Sequence, residues 1–136
     1  MKKFLLLLVL FLPFSLQADQ KPGSEADKIE RLIKHIEGLS AASFVRNGSD
    51  YDSRTAARFL RGKWQREEKK ITTVTDFIDK VGTKSSTSGK PYLIRFKDGR
   101  EIPCADYLRE ILAKQEKETS ADSSKTLETE RADRRQ

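Results

Sequence analysis

The stretch "VGTKSSTSGKPYLIRF" (residues 81–96) decides how this chain is built. To its left, Val74, Phe77, Ile78 and Val81 recur at i, i+3, i+4 and i+7, the spacing of one buried helix face. Thr72 or Thr73 can cap that helix, and Gly82 ends it as C-terminal glycines do. To its right, "YLIRF" (residues 92–96) is rich in branched and aromatic residues and reads as a strand. The passage therefore runs helix, loop, strand. That order answers the question raised by Gly89-Lys90, the dipeptide of phosphate-cradling loops. A P-loop needs four residues between its glycines, then Lys, then Ser or Thr. Here six residues separate Gly82 from Gly89, and Pro91 follows Lys90. A P-loop also leads into a helix whose free N–H groups face the phosphate, and this loop leads into a strand. The nucleotide reading fails on spacing, chemistry and context.

Working outward, "KDGRE" carries an Asp98-Gly99 hairpin signal, with Glu101 and Ile102 as a short return strand. Pro103 opens a last helix whose buried face is Tyr107, Leu108, Ile111 and Leu112. From about Glu116 the pattern dissolves into charges of both signs, the composition of a disordered tail. Upstream, Ala56, Ala57, Leu60 and Trp64 share one helix face, and Arg54, Arg58, Arg61 and Gln65 share another, a basic stripe. Asp52 or Ser53 can cap this helix. Residues 46–52, "RNGSDYD", form a turn-rich loop in which Asn-Gly supplies positive φ at little cost. Phe44 and Val45 precede it as a short apolar anchor. Ile29, Leu32, Ile33, Ile36 and Leu39 mark a first helix over residues 25–42, with Ser24 and Asp27 close to a capping box. No internal repeat is present.

At the N-terminus Lys2 and Lys3 precede an apolar run over residues 4–14 and a small polar exit ending at Ala18. This is the three-part pattern of a secretory signal peptide, with cleavage expected after Ala18. The run is shorter than the ~20 residues of a membrane span. Removing Lys2 and Lys3 lowers the net charge from +6 to +4, with 25 basic against 21 acidic residues. The mature chain, from residue 19, contains no further apolar stretch able to span a bilayer. One domain is expected over residues 19–115, with residues 116–136 as the tail. The expected compartment is the periplasm, where a modest positive charge fits anionic envelope components or an envelope protein rather than nucleic acid. Cys104 is the single cysteine, so no internal disulfide can form, and it reads as a buried small hydrophobe.

Catalytic signatures are sparse. The one histidine, His35, excludes metal sites built on two or more histidines, and no metal or cofactor is expected. There is no Cys-x-x-Cys and no Ser-x-x-Lys; Thr87-x-x-Lys90 is the nearest approach. Asn47-Gly48-Ser49 matches a glycosylation triplet short enough to arise by chance. The stripe of Arg54, Arg58 and Arg61 reads either as a solvated face or as a docking stripe for an anionic surface.

Three stretches, "FVRNGSDYDSRTAARFLRGKW", "TDFIDKVGTKSSTSGKPYLIRF" and "YLREIL", resemble the YfeK-like family of small exported Gram-negative proteins, which carry a domain of unknown function. The resemblance covers residues 29–112. It is most specific at Phe44 to Gly48, at Ala56, Leu60 and Lys63, and at Phe77-Ile78 with Ser85-Ser86, Ser88-Gly89 and Pro91-Tyr92. Family members often carry histidine where Phe59 stands here. The resemblance implies a periplasmic protein and no activity.

Both marked loops have chemistry that core packing does not demand, and such loops often carry function. On one reading they meet in a polar groove. Arg46 and Lys90 give charge, Asn47, Ser86 and Ser88 give hydrogen bonds, and Tyr51 and Tyr92 form walls. On the other, Arg46 and Asn47 cap a helix end and tie the serine loop down. The fold expected is mainly α-helical (α+β): about four helices and one small β-hairpin around a single core, with a disordered C-terminal tail. The favoured function is a non-enzymatic binding or adaptor module of the envelope. The alternative is an envelope hydrolase or transferase using a Ser or Tyr near Lys90.

Overall fold

A computed structural model describes residues 23–134. The expected signal peptide and its cleavage point lie outside the described residues. Helix α1 (Glu25–Glu37) opens where Ser24 accepts the Asp27 N–H at 3.1 Å, and Asp27 in turn accepts the Gly23 N–H. It stops at Gly38, five residues short of the expected end. Glycine holds helical backbone poorly, and residues from Ala42 onward are claimed by a sheet.

That sheet is the main difference from the sequence reading. Phe44 and Val45 lie in strand β1 (Ala42–Arg46), which pairs on both sides. The expected loop folds into strand β2 (Ser49–Tyr51), joined to β1 by Asn47-Gly48. Both turn residues have positive φ, +54° and +80°, the geometry of a two-residue hairpin whose twist matches the strands. Strands β3 (Leu93–Phe96) and β4 (Glu101–Pro103) form the hairpin expected at Asp98-Gly99. All pairs are antiparallel and the order is β2-β1-β3-β4.

Helix α2 (Ser53–Arg66) begins where Asp52 accepts the Thr55 N–H at 2.7 Å. Its inner face is Ala56, Ala57 and Leu60, all buried, and it packs against α1. Two of those three side chains are small, which lets the helix axes approach. After a 3₁₀ turn (Glu68–Lys70), helix α3 (Val74–Asp76) starts from a reciprocal Thr73–Asp76 capping box and widens into a π-type segment (Phe77–Val81). The Gly82 N–H closes it, donating to Phe77 O at 3.0 Å. The core gathers Ile29, Leu32 and Ile36 from α1, Phe44 and Ile94 from the sheet, and Phe77, Ile78 and Val81 from α3.

Helix α4 (Cys104–Asp133) completes the core with Cys104, Ala105, Leu108 and Ile111. The Cys104 thiol is fully buried, and desolvation pushes its pKa up to about 12. It is the inert small hydrophobe expected. The sequence lost its apolar pattern near Glu116. The structure carries α4 through to Asp133, but every described residue past Gln115 is exposed. Beyond an ion pair of Glu116 with Lys28 at 3.9 Å and the neighbourhood of Glu118 and Thr119 to α1, this extension buries no side chain, so its helicity rests mainly on propensity, a weak support in water without packing.

Gly82 is required for space rather than for backbone angle. A Cβ there would lie 2.7 Å from Leu108 Cδ1 and 3.2 Å from Ile78 O. Gly82→Ala is expected to destabilise the protein by about 1–3 kcal/mol, the usual range for overpacking, as read by urea denaturation. The penalty should shrink when Leu108→Ala removes the clashing carbon. An unchanged penalty would contradict this packing.

Candidate functional site

Helix α2 has a partly exposed side that shares Arg58 with the expected stripe. Arg58, Phe59, Gly62, Lys63 and Arg66 fall at i, i+1, i+4, i+5 and i+8, which places them along one side of a helix. Opposite them runs the serine loop, and between the two lies a cleft of about 320 Å³. Arg46 at the end of β1 and Tyr92 just before β3 complete its lining, with Ser86, Thr87 and Glu67.

The serine loop is shaped by Ser85, a buried polar residue at 1% exposure. Its N–H donates to Lys90 O and its carbonyl accepts the Gly89 N–H. Its Oγ accepts the N–H groups of Thr87 and Ser88. The loop is then fixed from two sides. Ser88 Oγ donates to Asn47 Oδ1 on the β1–β2 turn. Lys63 Nζ donates to Lys84 O at 2.8 Å and to Val81 O at 3.3 Å. Burial lowers the pKa of the Lys63 ammonium, and nearby Arg46, Arg66 and Lys84 press it the same way.

The two loops singled out in the sequence therefore meet, and their residues divide by role. Arg46, Ser86 and Tyr92 line the cleft, while Asn47 and Ser88 tie its edges together. Tyr51 stands behind the cleft, edge-on to Phe59 at 5.1 Å. Lys90 is exposed and lies outside the lining. The basic stripe divides as well. Arg58 faces the cleft, Arg61 pairs with Glu30 of α1 at 2.5 Å, and Arg54 is exposed elsewhere. Lys63, Arg66, Thr87 and Gly62 were missed as lining residues. For those on α2 the signal is the i, i+4, i+8 series of Arg58, Gly62 and Arg66; no such periodicity marks Thr87.

The aromatic floor is already covered by cations. Arg46 Cζ sits 5.2 Å from the Phe59 centroid and Lys63 Nζ 5.3 Å from that of Tyr92. Burial raises the Tyr92 hydroxyl pKa, which keeps it protonated. Near Lys90, Ser88 Oγ is held by the Asn47 amide and by the Lys90 N–H at 3.2 Å. The histidine sits apart: His35 Nε2 and Tyr107 Oη share a hydrogen bond of 2.9 Å between α1 and α4. No group of three potential metal ligands occurs among the described residues.

A profile described as "Family of unknown function (DUF5329)" matches residues 23–116. The chain is also similar to a curated protein of Salmonella typhimurium, "Uncharacterized protein YfeK", at 35% identity over 68 residues. That alignment covers 50% of this chain and 57% of the relative, so the chain spans a little over half the length of the curated relative it matches. No solved structure matches.

Burial, and then the Lys114 charge, lower the His35 pKa below its usual 6.5. The folded state thus binds this proton less readily than the unfolded chain does. The resulting stability is present in full above about pH 6.5 and is lost as pH falls below that value toward the folded pKa. The urea midpoint should fall between pH 7.5 and 5.5, and His35→Gln should flatten that fall. Equal slopes in the two proteins would refute the assignment.

Proposed function

The chain belongs to this family of unknown function, DUF5329, and on the geometry of its cleft we propose that it is a binding module for an anionic ligand, without catalysis. One observation carries the reading. Within the folded body, Arg31, Arg61, Arg95, Arg100 and Arg109 each have a carboxylate within salt-bridge distance. Arg46, Arg58 and Arg66 have none among the described residues, and all three line the same cleft. Arg54, exposed elsewhere on α2, is the one other arginine of the folded body without such a partner among the described residues; the remaining three gather in this cleft.

Like charges gathered without counterions raise the energy of the folded state. Guanidinium forks are also the side chains best shaped for bidentate recognition of oxyanions. The Arg46 Nε is buried without a hydrogen-bond partner among the described residues. Gly62 supports the same reading. In a helix interior glycine costs about 0.8–1 kcal/mol relative to Ala, and a Cβ there would meet only Arg66 Nη1, at 3.6 Å. Packing does not require this glycine, whereas an open cleft does.

The expected setting is the periplasm, with the ligand an anionic envelope component or the anionic part of an envelope protein. This location rests on the signal-peptide pattern over residues 1–18. No described helix is long and apolar enough to cross a membrane. Sequencing the protein recovered from the periplasmic fraction should return Asp19 as the first residue; a chain retaining Met1 would argue against export by cleavage.

The binding reading is tested by calorimetric titration of the purified protein with phosphate, sulfate, citrate and glucuronate. At least one should bind, with affinity that falls as salt rises. The exposed double variant Arg58→Glu/Arg66→Glu should remove that binding while leaving the melting transition in place. Binding unmoved by the double reversal, or no binding of any anion, would overturn the proposal.

A further inference from the structure

We infer that the occupant of this cleft is a phosphomonoester. Its terminal phosphate group would sit among the guanidinium groups of Arg46, Arg58 and Arg66, with its organic part over Gly62 toward the open side. The inference rests on the anion-binding reading above and adds the chemical class.

Charge is the first argument. The lining carries Arg46, Arg58, Lys63 and Arg66 against Glu67 alone, a formal excess of three positive charges. A carboxylate or a phosphodiester brings one negative charge. A phosphomonoester brings about 1.5 to 2 at neutral pH, with three terminal oxygens as acceptors.

Donor geometry is the second. One guanidinium fork satisfies both oxygens of a carboxylate. Three forks on one cleft, contributed by β1 and by two positions of α2 that flank the turn of Gly62, exceed that need and suit a tetrahedral group with three free oxygens. The Ser86 and Thr87 hydroxyls line the same cleft, and neither donates a hydrogen bond among the described residues. They stand ready as further donors.

Size is the third. The cleft, about 320 Å³, lies within the range of small-molecule sites, roughly 300–1,000 Å³. A bare phosphate ion leaves most of it unfilled, so the ligand carries an organic group. Because Arg46 and Lys63 already lie over Phe59 and Tyr92, stacking has little to offer. The organic part should be polar, as in a glycerol or sugar phosphate. A soluble ester and a membrane lipid ending in a phosphomonoester present this same chemistry.

The test compares glycerol 3-phosphate with dimethyl phosphate and glycerate on the purified protein. Glycerol 3-phosphate should bind at least tenfold more tightly than either. Its affinity should fall as pH drops below about 6, where the phosphate takes up its second proton. The cleft is faced by Arg46 from β1, by Arg58, Lys63 and Arg66 from α2, by Glu67 just past its end, and by Tyr92 before β3, while Lys84 lies near Lys63. None of these is a histidine, the side chain that titrates in that range.

Arg58→Gln and Arg66→Gln, both exposed, should each weaken binding roughly tenfold or more, as expected for loss of a charge-assisted contact. Gly62→Leu keeps every charge and should weaken glycerol 3-phosphate more than inorganic phosphate. Vesicles containing phosphatidic acid identify the source. If they bind and glycerol 3-phosphate competes, the ester is presented by a membrane; if only the soluble ester binds, the ligand is soluble. Either result supports the assignment. Equal affinity for the three small anions, an affinity flat across pH 5–7.5, or equal binding to phosphatidic acid and phosphatidylglycerol vesicles would overturn the ester assignment and leave anion binding standing. Failure of every anion would remove both.

Discussion

The site depends on one ammonium group. Lys63 reaches from α2 to Val81 O, at the end of α3, and to Lys84 O, where the serine loop begins. Those carbonyls stand where the chain leaves a helix and has not yet joined the sheet, so backbone partners for them are scarce. A half-buried lysine that loses hydration needs acceptors, and carbonyls at a helix end need donors. Each requirement answers the other, and the result pins the loop alongside α2. Ser85 then folds the loop on itself, and the Asn47–Ser88 contact fastens its far edge to the β1–β2 turn. Two hydrogen-bonded anchors at opposite ends keep the cleft open between them. The same argument explains why Asn47 and Ser88 serve the site without lining it.

The legibility of this protein in its sequence follows the range of the forces involved. Helical stripes are local, and Ile29, Leu32, Ile33 and Ile36 declared α1 as clearly as Phe77, Ile78 and Val81 declared the segment before Gly82. The sheet was half legible. Asp98-Gly99 announced one hairpin, whereas Asn47-Gly48, with the same turn chemistry, was read as part of a turn-rich loop. Only four residues follow it before α2 begins, and Ser49-Asp50-Tyr51 has no apolar alternation to mark a strand. The pairing with β3, more than forty residues away, is what makes β1 a strand at all. The basic stripe was misplaced for a related reason. Counting charges every third or fourth residue joined Arg54, Arg58 and Arg61. Yet Arg61 has an acidic partner on α1, which no count within α2 can show.

Two features of α2 run against stability, and they lie on the same face. An interior glycine lowers helix propensity, and three arginines line one cleft from α2 and β1 with no carboxylate within salt-bridge distance among the described residues. Elsewhere the protein resolves such tensions. Arg95 bridges Asp50 and Glu101 across the sheet, and Arg109 links Asp79 to Asp106. Gly82 is a glycine with a packing reason, because Leu108 fills the space of its missing side chain; Gly62 has no such neighbour. Local departures from the stability optimum that packing does not explain are the expected mark of a functional surface. Their coincidence on one cleft, with a buried and unpartnered Arg46 Nε beside it, is more economical as one requirement than as three unrelated defects. A site that must receive a negatively charged group needs cations in excess of its carboxylates, here four against Glu67 alone, and it must leave room above the helix for what the charge is attached to.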